Sequence, residues 1–462
     1  MTRRFLILAL LVCAGLRAAG PVYVTLWFDT EDFVEPAADD AALRIARDLT
    51  SLGVRATFKV VGEKARVLEQ RGRTDVLRAL SAHEIGYHSN LHSVPPVGAA
   101  YLRDLGFVEG VAEFERREGP GARDVERIFG VRPVCYGQPG SSWAPQANPA
   151  LRRMGIPVYL DEGSQVGLDE QPFWYGGMLY VFNMGQYGTR APLDGEPAAA
   201  SYAEFDRAAA GLAARQGGVI SIYYHPTEFV ATEFWDAVNF SKGANPERAD
   251  WKRPPRRTEA DSERCYRILR DYVAHIKSVP GVRFVTAREI AQVYESAAAP
   301  KVARETVAAH MAARQTWLST PQGTLSAADM LQILLGMEPA TVDGPATRIA
   351  STYPGAAIPR AAFERAKADA VSFIRANQRL PAEVWIGSEK LSTGDFAATL
   401  AADNGAAGEV AIRRANLEFE KYISKEPQRS YGWPIHPQGF AAPELLELAR
   451  LQAWTIKPAR LR

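Results

Sequence analysis

Glu84-Ile85-Gly86-Tyr87-His88-Ser89-Asn90-Leu91-His92 reads as a short strand that runs out into a pair of histidines. Ile85 and Tyr87 favour extended backbone, which assigns a strand to Ile85–His88. His88 and His92 lie four apart, so a helical turn after the strand would aim both imidazoles the same way. Two imidazoles and a carboxylate make a site for a divalent metal, with positions left for water and substrate. Such a pair is common on surfaces and in cores. It gains weight here because His83, His88 and His92 fall within ten residues of each other, and because of what the neighbouring strands bring.

Working outward, further strands are predicted over Val22–Phe28, Ala56–Val61, Val131–Tyr136, Val158–Leu160, Leu179–Phe182, Val219–Tyr224 and Val282–Thr286. Helices are predicted over Ala41–Leu52, closed by Gly53; over Pro149–Met154, capped by Asn148; and over Tyr202–Arg215, with a capping box of Ser201 and Glu204. Strands alternating with helices imply parallel pairing with crossover helices. Polar groups follow the strands one after another. Asp29-Thr30-Glu31-Asp32 follows the first and His88 to His92 the third. Gly137-Gln138-Pro139-Gly140 follows Tyr136, Asp161-Glu162 follows Leu160, and His225 follows Tyr224. Acids and histidines therefore converge on the C-terminal edge of the sheet, where α/β barrels keep their reactive groups. Alternation puts Asp29 and Glu31 on one side of an extended segment, with Asp32 the competing ligand if the chain turns there.

The chain has 462 residues, 47% hydrophobic and 23% charged, so it is globular and long enough for a large core and a smaller one. With 54 Lys+Arg against 53 Asp+Glu, there is no cationic excess to favour a nucleic acid. Met1 to Gly20 carries Arg3 and Arg4, the apolar run Phe5 to Leu16, then Ala18, Ala19 and Gly20. This is the pattern of a secretory signal and predicts a secreted or periplasmic protein, with no membrane span once the signal is removed. Two cysteines then remain, Cys135 and Cys265, whose pairing the spacing leaves open.

The order Phe28-Asp29, Ala56-Thr57-Phe58-Lys59-Val60-Val61-Gly62, Glu84 to His92, Gln138-Pro139-Gly140 and Ile222-Tyr223-Tyr224-His225 resembles the polysaccharide deacetylase superfamily, carbohydrate esterase family 4. The resemblance spans roughly residues 22 to 296. It implies an α/β fold, a distorted (β/α)7-type barrel over residues 21–298, followed by a smaller, mainly helical domain over 299–462. It also implies roles. Asp29 matches the catalytic base, His88 and His92 the metal-binding histidines, and His225 the late general acid. Glu31, or else Asp32, stands where the metal-binding aspartate belongs. Tyr136 and Gln138 fall where the substrate is held, a backbone N–H near Tyr136 helping to hold the oxyanion. The implied cofactor is a divalent metal, zinc first, with cobalt, nickel and manganese as alternatives. The implied reaction removes N-acetyl groups from a polysaccharide or cell-wall glycan.

Two departures stand out. The usual pair of adjacent aspartates is replaced by Asp29-Thr30-Glu31-Asp32, and Gln138 stands where the family has an arginine paired with the base. A neutral amide cannot act on the base through charge. These changes keep two other readings open: a hydrolase of the same fold acting on another C–N or ester bond, and a non-catalytic glycan-binding protein. After a linker at Ala297-Ala298-Ala299-Pro300, the C-terminal region carries a faint echo. Leu325-Ser326-Ala327-Ala328-Asp329 and Leu391-Ser392-Thr393-Gly394-Asp395 both look like Ser-capped helix starts. Asn377 to Phe396 loosely resembles a pseudomurein-binding repeat. That likeness implies a wall-glycan module with Trp385 or Trp433 stacking on sugars, against the plainer reading of a helical packing domain.

Overall fold

The computed structural model describes residues 19–195 and 198–462, so the signal expected over Met1–Gly20 lies, but for its last two residues, outside the described residues. The strands are β1 (Val22–Thr30), β2 (Thr57–Val60), β3 (Glu84–Tyr87), β4 (Cys135–Tyr136), β5 (Val158–Leu160), β6 (Phe173–Tyr175), β7 (Met178–Val181), β8 (Gly218–Tyr224) and β9 (Val282–Phe284). Parallel pairing runs β7-β5-β4-β3-β2-β1-β8, and β9 pairs with the first half of β1. This is a curled, mainly parallel sheet of the distorted (β/α) barrel type, as expected. The outer side of β8 carries only one bridge among the described residues, between Gly188 and Ser221. The Gln171 side chain substitutes for a strand there, accepting from Val219 N at 2.9 Å and donating to Val219 O at 3.2 Å.

The strands form where apolar runs can be buried on both faces. Trp27, Phe28, Phe58, Tyr87 and Tyr224 are all buried, with Phe28 and Phe58 stacked at 4.9 Å. Helix Ala37–Ser51 covers one face with Ile45, Ala46 and Leu49. It starts earlier than predicted. Two predicted caps fall inside their helices instead: Asn148 within Ala147–Arg153 and Ser201 within Ala198–Ala213. Cys135 and Cys265 are both buried as free thiols.

The long helix Phe107–Phe129 was not foreseen, because Gly119-Pro120-Gly121 reads as a break. Pro120 has no N–H for the carbonyl of Arg116, and the next two carbonyls are braced from outside the helix by β3 and the loop that follows it. Asn90 Nδ2 donates to Arg117 O at 3.0 Å and Tyr87 Oη to Glu118 O at 2.7 Å. Helix and loop are thereby locked together.

The C-terminal region holds helices and three small antiparallel strand pairs. The internal echo corresponds to a repeated unit of helix, hairpin and capped helix. The first runs Arg304–Ala313, Leu318–Thr320 with Gly323–Leu325, then Ala327–Leu334; the second runs Arg360–Asn377, Glu383–Ile386 with Glu389–Ser392, then Thr393–Ala402. Ser326 and Ser392 cap their helices, accepting from Asp329 N at 3.1 Å and Asp395 N at 3.2 Å. The chain then returns to the barrel. Lys457–Pro458 pairs antiparallel with β6, and Lys457 Nζ donates to Ala297 O within the Ala297–Pro300 stretch. Among the described residues no helix is long and apolar enough to cross a membrane.

Candidate metal centre and active site

The C-terminal ends of β1, β3, β4, β5 and β8 meet at one buried polar cluster. Glu31, His88 and His92 present three donor atoms to a common point. Glu31 Oε2 is 2.8 Å from His92 Nε2 and 3.5 Å from His88 Nε2, and the two imidazole nitrogens are 3.2 Å apart. Four ligands about 2.0–2.1 Å from a tetrahedral zinc lie roughly 3.3 Å apart, so the donor set fits a divalent cation. The outward nitrogens are already engaged. His88 Nδ1 faces Gly137 O at 3.0 Å, and His92 Nδ1 faces Ser93 Oγ at 2.6 Å, whose hydroxyl donates to Asp236 Oδ2 at 2.8 Å. Such partners orient a ligating imidazole and leave Nε2 for the metal. Burial opposes ionisation of Glu31, but His92 and His88 outweigh it and hold the carboxyl well below its usual range. The cluster is thus set up as a charged carboxylate with two imidazoles.

The histidines are not joined by a helical turn. Residues 88–92 form a loop in which Ser89 and His92 take positive φ, +67° and +53°, and His92 N donates to Ser89 Oγ at 3.0 Å. That turn, not helical periodicity, brings the imidazoles together. Asp29 and Glu31 do share a side, as alternation required; Asp29 Oδ1 is 3.5 Å from His88 Nδ1. Asp32 points elsewhere. Its carboxylate accepts from Val34 N, Glu35 N and Thr227 Oγ1, each at 2.9 Å. Among the described residues the donor group is completed by Glu31.

His225 lies across from the histidine pair, its Nε2 3.6 Å from Asp29 Oδ2 and 4.0 Å from Glu31 Oε2. Burial alone would depress its pKa. Glu228, whose Oε1 stands 3.5 Å from Nδ1, and the carboxylates of Glu31 and Asp29 overcome this and push it up to about 9. The imidazole is therefore charged at neutral pH, a proton donor facing a carboxylate. Glu228, itself tied to Arg190 at 2.8 Å, was not singled out from sequence; its place three residues after His225 was the available signal.

The other unforeseen residue is Lys59. Fully buried in β2, it sits between two carboxylates, its Nζ 3.0 Å from Asp29 Oδ1 and 2.6 Å from Asp161 Oδ2. Trp27 covers the ammonium, the ring centroid at 4.1 Å. Room for the lysine comes from two glycines. A Cβ on Gly86 would fall 2.9 Å from Lys59 Cγ, and one on Gly137 would fall on Nζ and on Asp161. A lone cation in an otherwise apolar strand was the signal, because lysines are almost never fully buried unless paired.

Gln138 lies beside this pair, its Nε2 donating to Asp161 Oδ1 at 3.1 Å, Glu162 O at 3.0 Å and Gly140 O at 3.1 Å. Gln138 brings no charge to the cluster, and the cation beside Asp29 comes from β2. Burial, opposed by Lys59 and reinforced by Asp29, pushes the Asp161 carboxyl up to about 7. Tyr136 belongs mainly to the core, its ring 5.4 Å from Tyr159 and 5.8 Å from Tyr87. It also reaches a cavity of about 270 Å³ beside His92. The N–H that follows it, that of Gly137, is taken by Tyr87 O at 3.1 Å.

No protein-family profile matches this chain, and no curated protein matches it. Solved structures do. Among them are proteins described as members of carbohydrate esterase family 4. A putative polysaccharide deacetylase from Mycobacterium smegmatis is 17% identical, over 60% of this chain and 93% of its own, with a TM-score of 0.36. An esterase of that family from Streptococcus mutans is 17% identical, over 58% and 85%, with a TM-score of 0.34. A family pseudoenzyme mutant with restored activity is 13% identical, over 59% and 68%, with a TM-score of 0.32.

Proposed function

We propose that this chain is a metal-dependent hydrolase that removes N-acetyl groups from an extracellular or cell-wall glycan. The observation that carries the reading is the arrangement of five side chains. Glu31, His88 and His92 converge as a donor set, with Asp29 and His225 on its open side. Glu31, His88 and His92 would hold the metal. A bound divalent cation polarises an amide carbonyl and acidifies a water, which a poor electrophile such as an acetamide needs.

The rest falls to the chain's own groups. Asp29 takes the proton of the attacking water at its carboxylate, held in place by Lys59. His225, charged at neutral pH, delivers a proton from Nε2 to the departing nitrogen, so that the amine leaves neutral. Glu228 and Arg190 hold that imidazole from behind. The sequential order is then base, metal ligands, acid, read along β1, β3 and β8. The expected signal segment supports placing this chemistry outside the cytoplasm, where wall glycans lie.

The test is acetate release from an N-acetylglucosamine oligomer by the purified mature chain. Activity should fall at least a hundredfold with a chelator and return on adding zinc, cobalt, nickel or manganese. Chelator-insensitive release would rule out the metal-dependent route. No release with any loaded metal would move the weight to the binding-protein reading.

A further inference from the structure

The C-terminal region does not stop at the flank of the barrel. Residues 424–440 cross its reactive edge and are fastened there by polar contacts on both sides. Gln165 Nε2 donates to Ser430 O at 2.6 Å and to Ser141 O at 3.1 Å, joining the crossing segment to the loop after β4. Trp433 N donates to Ser141 Oγ at 3.0 Å. On the other side, Lys242 N and Gly243 N donate to Pro434 O at 2.9 Å and Ile435 O at 2.8 Å. Ile435 is buried with Phe33, Trp235 and Phe240. The segment is therefore held rigidly against loops from three parts of the barrel.

Its most consequential residue is Trp433. The indole and the ring of the metal-facing histidine His92 are perpendicular, their centroids 5.6 Å apart. Space for it is left by Gly140, whose φ is +47° and where an added Cβ would fall on the indole. Trp433 remains only partly buried, unlike Ile435 beside it. Across the cluster, Phe234 meets His225 edge-on at 4.9 Å. The reacting centre thus lies between an aromatic wall from the barrel and one from the C-terminal region.

We propose that Trp433 is the platform for the sugar ring that bears the scissile acetamide, which makes the C-terminal region part of the substrate site. The inference rests on the deacetylase reading above. In an N-acetylated sugar the amide nitrogen is bonded directly to a ring carbon. Trp433, 5.6 Å from the imidazole of His92, lies within reach of that ring. The axial C–H bonds of a pyranose form an apolar face suited to an indole, whose π-face carries partial negative charge. Trp433 is thus a specificity-determining residue that acts on binding.

The test uses the full mature chain loaded with zinc. Binding of an N-acetylglucosamine tetramer is measured by titration calorimetry in the Asp29→Asn background, alone and with Trp433→Ala or Trp433→Phe. Zinc content should be unchanged throughout. Trp433→Ala should weaken binding at least tenfold, and Trp433→Phe should recover it to within about threefold. With Asp29 intact, Trp433→Ala should raise KM for the tetramer at least tenfold, a larger change than any it makes in kcat. Equal binding by Trp433→Ala and its parent overturns the platform. Turnover of the tetramer with KM unchanged overturns the platform and leaves the deacetylase reading standing. Trp433-dependent binding without turnover by the wild type overturns that reading and leaves the platform standing.

Discussion

Replacing Lys59 by Met is expected to cost about 3–5 kcal/mol of stability and to lower kcat/KM roughly a hundredfold. The stability loss follows from burial. Lys59 is the cation between Asp29 and Asp161, both nearly inaccessible to water, and removing one partner of a buried ion pair leaves uncompensated charge. Methionine matches the lysine in length, so the loss would reflect charge and not a cavity. The kinetic loss follows from position. Without its tether, Asp29 is free to move relative to His88 and His225, and a misplacement of about 1 Å costs on the order of a hundredfold. Lys59→Arg keeps the charge but must fit a larger group against Gly86 and Gly137, where there is no room for even a methyl. It should recover part of the activity while losing about 1–3 kcal/mol to overpacking. Chemical denaturation and steady-state kinetics measure both effects. A Lys59→Met protein as stable and active as wild type would remove Lys59 from the account.

Asp29→Asn is expected to lower kcat by about a hundredfold to ten-thousandfold, the usual worth of a positioned base, while metal content stays unchanged. The amide has the same shape as the carboxylate but cannot accept a proton at neutral pH. The donor atoms of Glu31, His88 and His92 are left as they were. Kinetics alongside metal analysis separate this from loss of the site. Full activity in Asp29→Asn would overturn its assignment as the base.

Much of this was legible in sequence because parallel strands end at a common edge. Five separate runs each placed a polar group just past an apolar segment, and the sheet order brings those groups together. Period-two alternation was enough to put Asp29 and Glu31 on one side. It could not show that Asp32 would turn to accept from Val34 and Glu35, which depends on the helix start that follows. The path of the chain from His88 to His92 is not legible from spacing, which does not report the positive φ of Ser89 and His92. The pairing of Lys59 follows no local pattern, because its partners come from β1 and the end of β5 and its room from Gly86 and Gly137. Helix Phe107–Phe129 is hidden by Pro120, and the residues that brace the turn before it, Asn90 and Tyr87, come from β3 and the loop after it. The approach of Trp433 to His92 bridges more than three hundred residues of chain. No local pattern encodes such a contact.

The central claim is that Glu31, His88 and His92 hold a metal. The most direct measurement is metal content by mass spectrometry of the purified mature protein, wild type beside the His88→Ala/His92→Ala variant, after exposure of both to divalent ions. Close to one metal per chain is expected in the wild type and none in the variant, with both chains folded by circular dichroism. Equal metal in the two proteins, or none in either, would contradict it.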